Sequence, residues 1–133
     1  MIGAATALYE ATQNSDYVTK AQTIVSFVLS SETVSTSYGL VLDDGASCNG
    51  DCDEFKGPTF RYLSYYNKVV GDAKVANLLT ACVKSLWNLA RNTESNCYAI
   101  SWQGPAPQDT DMVTEAQTTA AVMAINIYAN SQC

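Results

Sequence analysis

The chain has 133 residues, of which 47% are hydrophobic and 15% are charged, so it fits one folded domain, residues 1–133, rather than a disordered chain. Its net charge of −6 excludes the basic surface that nucleic acids and anionic membranes need, and no apolar run approaches the ~20 residues of a membrane span. It contains no histidine, which excludes Ser-His-Asp catalysis and the commonest metal ligand. We therefore expect no cofactor and no metal. Any hydrolysis would have to use carboxylates.

Helical periodicity predicts a first helix over about residues 3–13, with an apolar side formed by Ala4, Leu8 and Ala11. The Asn-Ser-Asp sequence that follows is typical of a turn, and Ser15 or Asp16 is expected to cap a second helix. The second helix repeats apolar residues at helical spacing: Tyr17, Ala21, Ile24, Val25, Val28 and Leu29.

Residues 35–52 form the main irregular stretch, and a loop of this length in a compact domain is usually functional or crosslinked. It contains the pair Asp43-Asp44. As catalytic carboxylates of a retaining glycosidase, the pair would need about 5 Å between the carboxyl groups and one pKa raised by burial. Because nothing apolar nearby would raise either pKa, we interpret Asp-Asp-Gly as a solvated turn.

A third helix is predicted from about Asp53 to Val70, and Pro58 favours a start later than Asp53 because proline is tolerated in the first turn. Gly71 and Asp72 predict a helix end followed by an N-cap. The expected core residues of the third helix are Phe55, Leu63, Tyr66 and Val70. Those of the fourth helix are Val75, Leu78, Leu79, Cys82, Leu86 and Leu89, together with Trp87.

Residues 92–111 are polar and interrupted by proline and glycine, and the capping box Thr114-Glu-Ala-Gln117 opens a last helix. The stretch from Tyr98 to Trp102 alternates too briefly to predict a strand. Trp102 itself allows two interpretations. An exposed indole would stack on the C–H face of a sugar, whereas a buried one would close the end of the helix pack.

An internal repeat spaces two helical hairpins about 58 residues apart. Residues 11–14 align with residues 69–72, and both segments join a helix to a helix through a tight polar turn. The following helices also align, with Tyr17 on Val75, Ala21 on Leu79 and Ile24 on Cys82. Repeated hairpins stack side by side because one hairpin cannot bury its own apolar face. The sequence therefore predicts an all-α protein of about five helices arranged as antiparallel hairpins.

Five cysteines indicate an oxidising compartment. Cys82 lies within the apolar pattern of the fourth helix, and the other four lie in loop-like or terminal contexts: Cys48, Cys52, Cys97 and Cys133. We interpret these four as two disulfides of open connectivity and Cys82 as a free core thiol. A zinc site is the alternative, but no CxxC pair or histidine accompanies Cys48 and Cys52.

Five short motifs together resemble the C-terminal half of fungal glycoside hydrolase family 76 proteins. In chain order they are Gly3–Thr12 (GAATALYEAT), Cys48–Gly57 (CNGDCDEFKG), Arg61–Leu63 (RYL), Trp87–Asn92 (WNLARN) and Trp102–Pro105 (WQGP). The resemblance covers nearly the whole chain in order and spacing. It implies an (α/α)6 toroid and a relation to α-1,6-mannan.

The resemblance also implies that the catalytic machinery is missing. In the family, catalysis uses two adjacent Asp residues in the N-terminal half, and this sequence is expected to begin after them. Asp43-Asp44 does not align with that pair, so we assign no catalytic residue. The chain would supply about five of twelve helices, and copies of itself or a partner chain would then cover its exposed apolar faces.

The candidate substrate-binding residues are Asp51, Phe55, Lys56, Arg61 and Trp102. The resemblance places the loop Asp51–Lys56 near the sugar-binding end of the toroid. The alternative is structural: Asp51 or Asp53 caps the third helix, while Lys56 and Arg61 pair with acidic neighbours at its surface.

Two functional hypotheses follow. In the first, the chain is a mannan-binding part of a family 76-type protein, secreted or in the cell wall, without turnover of its own. In the second, it is a structural protein that completes its fold by oligomerisation. A third hypothesis, hydrolysis by Asp43, Asp44 or Asp51, conflicts with the turn-like setting of these residues.

Overall fold

The structure is a computed structural model that describes residues 1–43, 54–108 and 115–131. Within these ranges the chain forms five α-helices, one β-hairpin and one π-helical turn. The helices are α1 (Ile2–Thr12), α2 (Ser15–Ser31), α3 (Lys56–Val70), α4 (Ala73–Ser85) and α5 (Glu115–Ser131). The strands are β1 (Thr33–Thr36) and β2 (Gly39–Leu42), and the π-helical turn is Leu86–Ala90.

Two tight turns with nearly the same backbone geometry join α1 to α2 and α3 to α4. Gln13 and Gly71 end their helices in the left-handed region, with φ of 57° and 75°. Asn14 and Asp72 then cap the following helices from extended backbone, and each side chain accepts a hydrogen bond from the backbone N–H two residues later at 2.9 Å. The internal repeat is therefore visible in the structure, although the N-cap of α2 is Asn14 rather than Ser15 or Asp16.

The helices pack in two layers. Helix α1 packs against α2 and α3, and α3 packs in turn against α4 and α5. This places α1, α3 and α5 side by side, with α2 and α4 as the second members of their hairpins. A hydrogen bond of 2.6 Å from the Tyr65 hydroxyl to Glu10 Oε2 joins α3 to α1. That hydrogen bond is the main cause of a raised pKa at Tyr65.

The contact between α3 and α5 is unusually close. A Cβ atom at Gly57 would lie 3.1 Å from the Ala120 Cα and 3.3 Å from the Met123 sulfur. Only glycine fits this position without displacing a neighbour. Three small residues of α5 are buried: Ala120, Ala121 and Ala124.

The β-hairpin corrects part of the expected irregular stretch. Strands β1 and β2 pair antiparallel, with Thr33 opposite Leu42 and Thr36 opposite Gly39. Strand β2 packs on α4, and this burial of Val41 and Leu42 explains why the segment is ordered as a strand. The hairpin was not predicted because each strand has only four residues and the segment before the turn is rich in serine and threonine.

Three predictions about burial, one of a helix face and two of single residues, are also wrong. In α1 the buried residues are Ile2, Gly3 and Thr6 rather than Ala4, Leu8 and Ala11. Thr6 tolerates burial because its hydroxyl donates to the Ile2 carbonyl at 2.9 Å. The other two errors are exposed aromatic residues, Phe55 before α3 and Trp87 after α4.

The predictions for α3 and α4 otherwise agree with the structure, whereas Thr114 of the predicted capping box lies outside the described residues. Helix α3 begins at Lys56, so Pro58 lies in its first turn as the sequence required. The core of α4 contains the predicted residues Val75, Leu78, Leu79 and Cys82. Helix α3 contains three tyrosines, Tyr62, Tyr65 and Tyr66, of which Tyr66 is buried and Tyr62 is exposed. The prediction of an all-α protein of five helices in antiparallel hairpins is confirmed. No helix in the described ranges has the length and apolarity to cross a bilayer.

Candidate functional site

A buried lysine anchors the start of α3. The Lys56 side chain is only 4% exposed, and its ammonium group donates to the carbonyl of Ile100. The same nitrogen lies 5.8 Å from the ring centroid of Trp102, within the range of a cation–π interaction. Lys56 therefore connects α3 to the loop that follows α4. Lys56 is thus a buried residue, whereas the structural alternative placed it at the surface of the helix.

Trp102 is the indole that closes the end of the helix pack. It is 1% exposed, and it contacts Phe60 edge to face with ring centroids 6.2 Å apart. Its carbonyl accepts a hydrogen bond of 2.7 Å from the Ser85 hydroxyl of α4. The expectation of an exposed Trp102 is wrong, and the buried alternative is correct. Its ring has no face open to a sugar in this structure.

A small cavity lies where the β-hairpin meets the start of α3. It encloses about 240 Å³ and is lined by Val28, Glu32, Leu42, Asp43, Phe55, Lys56 and Thr59. Phe55 is 59% exposed, so its ring borders both the cavity and the solvent. The site thus combines an accessible aromatic ring with acidic, basic and hydroxyl side chains.

The two carboxylates of this site are brought together by the hairpin. Glu32 and Asp43 continue the register of β1 and β2 by one position, and the Asp43 N–H donates to the Glu32 carbonyl at 2.9 Å. Side chains directly opposite each other on paired strands lie on the same face. Asp43 therefore lies beside Glu32 at the end of the hairpin.

Cys82 lies directly behind the site as the predicted free core thiol. It is fully buried in α4, and its sulfur accepts the N–H of Leu42 at 3.4 Å. Burial raises the pKa of this thiol to about 12, against smaller opposing effects of the Leu42 N–H and the Lys56 charge. Cys82 is therefore an inert neutral thiol that fixes β2 on α4.

The structure brings some predicted site residues together and leaves others apart. Phe55 and Lys56 line the same cavity, and Trp102 supports Lys56 from behind. Arg61 lies elsewhere on α3, exposed, with its guanidinium carbon 6.0 Å from the Tyr62 ring centroid. Asp51 lies outside the described residues, as does Asp53, and the residue in the N-cap position of α3 is Phe55, without a side-chain cap.

The predicted cysteine pairs involve residues both inside and outside the described ranges. Cys97 is half-buried and makes no disulfide among the described residues, and Cys48, Cys52 and Cys133 lie outside them, so the disulfide prediction stays a prediction. In the ranges that the structure describes, no three His, Cys, Asp or Glu residues cluster as metal ligands.

Sequence reasoning missed Glu32 as a member of this site. The available signal was the pair of short segments Thr33–Thr36, rich in β-branched residues, and Gly39–Leu42, which is apolar, since a hairpin of these segments would have placed Glu32 opposite Asp43. Two larger cavities lie elsewhere. One of about 460 Å³ involves α3, α4 and α5, and one of about 550 Å³ lies between the tip of the β-hairpin and α4.

The architecture of stacked antiparallel helical hairpins is that of helical toroid proteins. The sequence profile of glycosyl hydrolase family 76 matches residues 1–132. The chain belongs to this family. A search of curated proteins finds no significant match.

Solved structures support the same fold. The Lin0763 protein from Listeria innocua is similar over 98% of this chain, with a TM-score of 0.82 and 19% identity. The GH76A α-1,6-mannanase of Salegentibacter sp. HEL1_6 is similar over 97% of the chain, with a TM-score of 0.77 and 22% identity. An inactive variant of that enzyme in complex with α-1,6-mannotetrose gives a TM-score of 0.75 and 24% identity over the same share of the chain. The chain spans 35% to 37% of the length of these structures.

Proposed function

We propose that this part of the chain binds mannan-type glycans at the cavity between the β-hairpin and α3, and that it does not hydrolyse them. The observation that carries the proposal is the exposed ring of Phe55 beside Glu32 and Asp43. Family membership supports the choice of glycan, because the mannanase of Salegentibacter has been solved with α-1,6-mannotriose.

The chemistry of the site suits a neutral sugar. Sugar rings present C–H groups that pack on aromatic faces, and their hydroxyl groups both donate and accept hydrogen bonds. Glu32 and Asp43 would accept hydrogen bonds from hydroxyl groups, while Thr59 would donate or accept. The net charge of −6 disfavours an acidic glycan, so a neutral hexose polymer is the better ligand.

A calorimetric titration with α-1,6-mannotriose tests the binding site. Replacing Phe55 by Ala should weaken binding about tenfold or more, because an aromatic contact of this kind is worth about 1 kcal/mol or more with its buried area. Phe27→Ala is the matched control, since Phe27 is 58% exposed on α2 and does not line the cavity. Equal affinity of the Phe55→Ala variant and the wild type would refute this location.

The absence of turnover is tested by measuring release of reducing ends from α-1,6-mannan. We expect no release by the wild type, and no difference when Asp43, Asp44 and Asp51 are replaced together by Asn. Release by the wild type that the triple variant abolishes would overturn the proposal in favour of hydrolysis by these carboxylates. Release that persists in the triple variant would locate catalysis elsewhere in the chain.

Self-association is a second candidate function, favoured by exposed apolar side chains on separate helices. Leu8 of α1, Phe27 of α2 and Val122 of α5 are all substantially exposed. An interface between copies of the chain would remove these side chains from water. Light scattering across a dilution series tests this candidate, and a monomer at every concentration would eliminate it.

We further propose that the protein is secreted or held in the cell wall, with Cys48, Cys52, Cys97 and Cys133 paired as two disulfides. Membership in a family that acts on a polysaccharide supports this location. Counting thiols in the unfolded protein, before and after reduction, tests the pairing: one thiol before reduction and five after it is the expected result.

A further inference from the structure

We propose that Trp87 and Arg91 form a second sugar-binding site, distinct from the cavity at Phe55, which accepts one neutral hexose unit. The two residues and the adjoining cavity are called the Trp87 platform below. The inference does not depend on the proposed function, because it follows from the geometry of the π-helical turn and the loop that come after α4.

The π-helical turn Leu86–Ala90 places Trp87 on the surface. The core stripe of α4 continues through Leu86 and Ala90, both fully buried, and the wider turn leaves Trp87 beside the stripe with 49% of its surface exposed. The guanidinium carbon of Arg91 lies 3.7 Å from the Trp87 ring centroid. This stacking covers one side of the indole and orients it.

The loop that follows holds Arg91 in place. Arg91 pairs with Tyr98 in an isolated antiparallel bridge, and the N–H of Asn92 donates to the Cys97 carbonyl at 2.9 Å. The Asn92 side chain accepts from the N–H groups of Glu94 and Ser95 and donates to the Pro107 carbonyl at 3.0 Å. The platform therefore rests on a closed hydrogen-bonded loop, which lowers the entropy cost of binding.

A cavity of about 280 Å³ adjoins the platform. It is lined by Arg91, Asn92, Thr93, Glu94, Ala106, Pro107 and Gln108. This volume lies just below the range of about 300–1,000 Å³ for ligand pockets, so it suits a single ring rather than a long chain. Arg91 is common to the cavity and to the stack on Trp87, and it joins the two surfaces into one site.

The side chains around this cavity select a ligand that both donates and accepts hydrogen bonds. Arg91 can only donate, and its Nε is buried without a hydrogen-bond partner in the structure. Glu94 as a carboxylate can only accept. Because Arg91 and Glu94 carry opposite charges, neither an anion nor a cation is favoured by both side chains, whereas a hydroxyl group can accept from one and donate to the other. With an aromatic ring beside them, the donor and the acceptor match the hydroxyl groups and C–H face of a hexose.

Tryptophan fluorescence provides a direct readout, because the chain has two tryptophans and Trp102 is buried. Acrylamide quenching should therefore report mainly on Trp87. The experiment uses the Phe55→Ala variant, which removes the proposed first site, and adds α-1,6-mannotriose, maltotriose or cellotriose. We expect at least one of these neutral trisaccharides to protect Trp87 from quenching in a saturable manner.

Variants test the residues that carry the proposal. Glu94→Gln should weaken the protected complex about tenfold, because it removes a charge-assisted hydrogen bond, while Glu54→Gln, exposed and outside the cavity, should leave it unchanged. Trp87→Ala should abolish the binding heat of the same trisaccharide. Unchanged Trp102 fluorescence in that variant checks that the fold is retained.

Two results would overturn the inference. The first is that none of the three trisaccharides protects Trp87. The second is that protection persists at the same affinity in Glu94→Gln, which would mean that the cavity is not involved. If Phe55→Ala does not weaken mannotriose binding but a trisaccharide still protects Trp87, only the proposed function is refuted. If Phe55→Ala weakens binding but no trisaccharide protects Trp87, only the Trp87 platform is refuted.

Discussion

The turn between α1 and α2 and the turn between α3 and α4 have almost the same backbone but different side chains. Gln13 and Gly71 occupy the same left-handed position, and Asn14 and Asp72 cap the next helix from nearly equal dihedral angles, −79°, 116° and −78°, 111°. The structure thus repeats a geometry that the two sequences achieve by different means. Backbone conformation is conserved between the hairpins more closely than residue identity.

The surroundings of the two hairpins differ much more than their turns. Helix α4 lies between α3, α5 and β2, whereas α2 packs mainly on α1. The matching positions differ accordingly. Leu79 of α4 is a large buried residue, whereas Ala21 of α2 is buried but small. Cys82 of α4 is buried, whereas Ile24 of α2 is only half-buried. Local signals therefore define each hairpin, while the position of the hairpin in the layer determines how much of it is buried.

Cys82 and Ile24 occupy matching positions in the two hairpins, but only Cys82 can ionise. We expect this difference to have the largest effect on the stability of the protein, through its dependence on pH. The folded-state pKa of Cys82 is raised from 9.0 to about 12, so its stabilising contribution is complete below pH 9 and is lost as the pH rises towards 12. Over that window the free energy of unfolding should fall by about 1.4 kcal/mol for each pH unit. Urea titrations under reducing conditions from pH 8 to 11 measure this slope.

The control for this prediction is a pair of alanine variants. Cys82→Ala should flatten the alkaline slope, even though the cavity it creates lowers stability at neutral pH. Cys97→Ala, at the half-buried thiol, should leave the slope as in the wild type. An unchanged slope in Cys82→Ala would assign alkaline unfolding to other groups, such as Tyr66, whose pKa is also raised by burial.

A second prediction compares the cores of the two hairpins at matched positions, Leu86 and Val28. Leu86 is fully buried, so Leu86→Ala should lower the free energy of unfolding by about 3 kcal/mol. Val28→Ala should cost less, about 1–2 kcal/mol, because fewer methyl groups are lost at the edge of the layer. Chemical denaturation followed by circular dichroism measures both, and equal losses would show that the hairpins are equally well packed.

Exchanging the left-handed residues of the two turns should change the stability of the protein least. Gly71→Gln should destabilise the protein by about 1 kcal/mol through left-handed strain alone, since a Cβ at position 71 would have no atom within 4 Å. Gln13→Gly should stabilise it by about 0.5 kcal/mol, because relief of that strain exceeds the added freedom of the unfolded chain. Thermal unfolding of the two variants checks the signs. Changes of the same sign would contradict the equivalence of the turns.

The sequence predicted the features that depend on neighbouring residues. Gly71, Asp72 and Pro58 have strong local preferences, and the helix boundaries around α3 and α4 agree with them. The apolar stripe of α4 was equally clear, because a helix in the middle of a layer must be apolar on a wide face. These features define the fold class.

The features that were missed depend on distant contacts. Strand β2 is stabilised by α4, and Thr6 is buried against a neighbouring helix despite its hydroxyl group. Trp87 is exposed because the helix widens after Ser85, which periodicity cannot reveal. In the candidate site, Phe55 and Lys56 were predicted, but Glu32 was not, since only the hairpin register brings it beside Asp43.

The close contact at Gly57 has a consequence for the order in which the molecule assembles. Gly57 and Ala120 approach closely although they lie more than sixty positions apart in the chain. The hairpins α1–α2 and α3–α4 close over turns of a few residues, so their contacts form at low entropic cost. We expect α5 to dock last, onto a surface that the earlier helices have already built. The contact between α3 and α5 is then also the first to be lost when the protein unfolds.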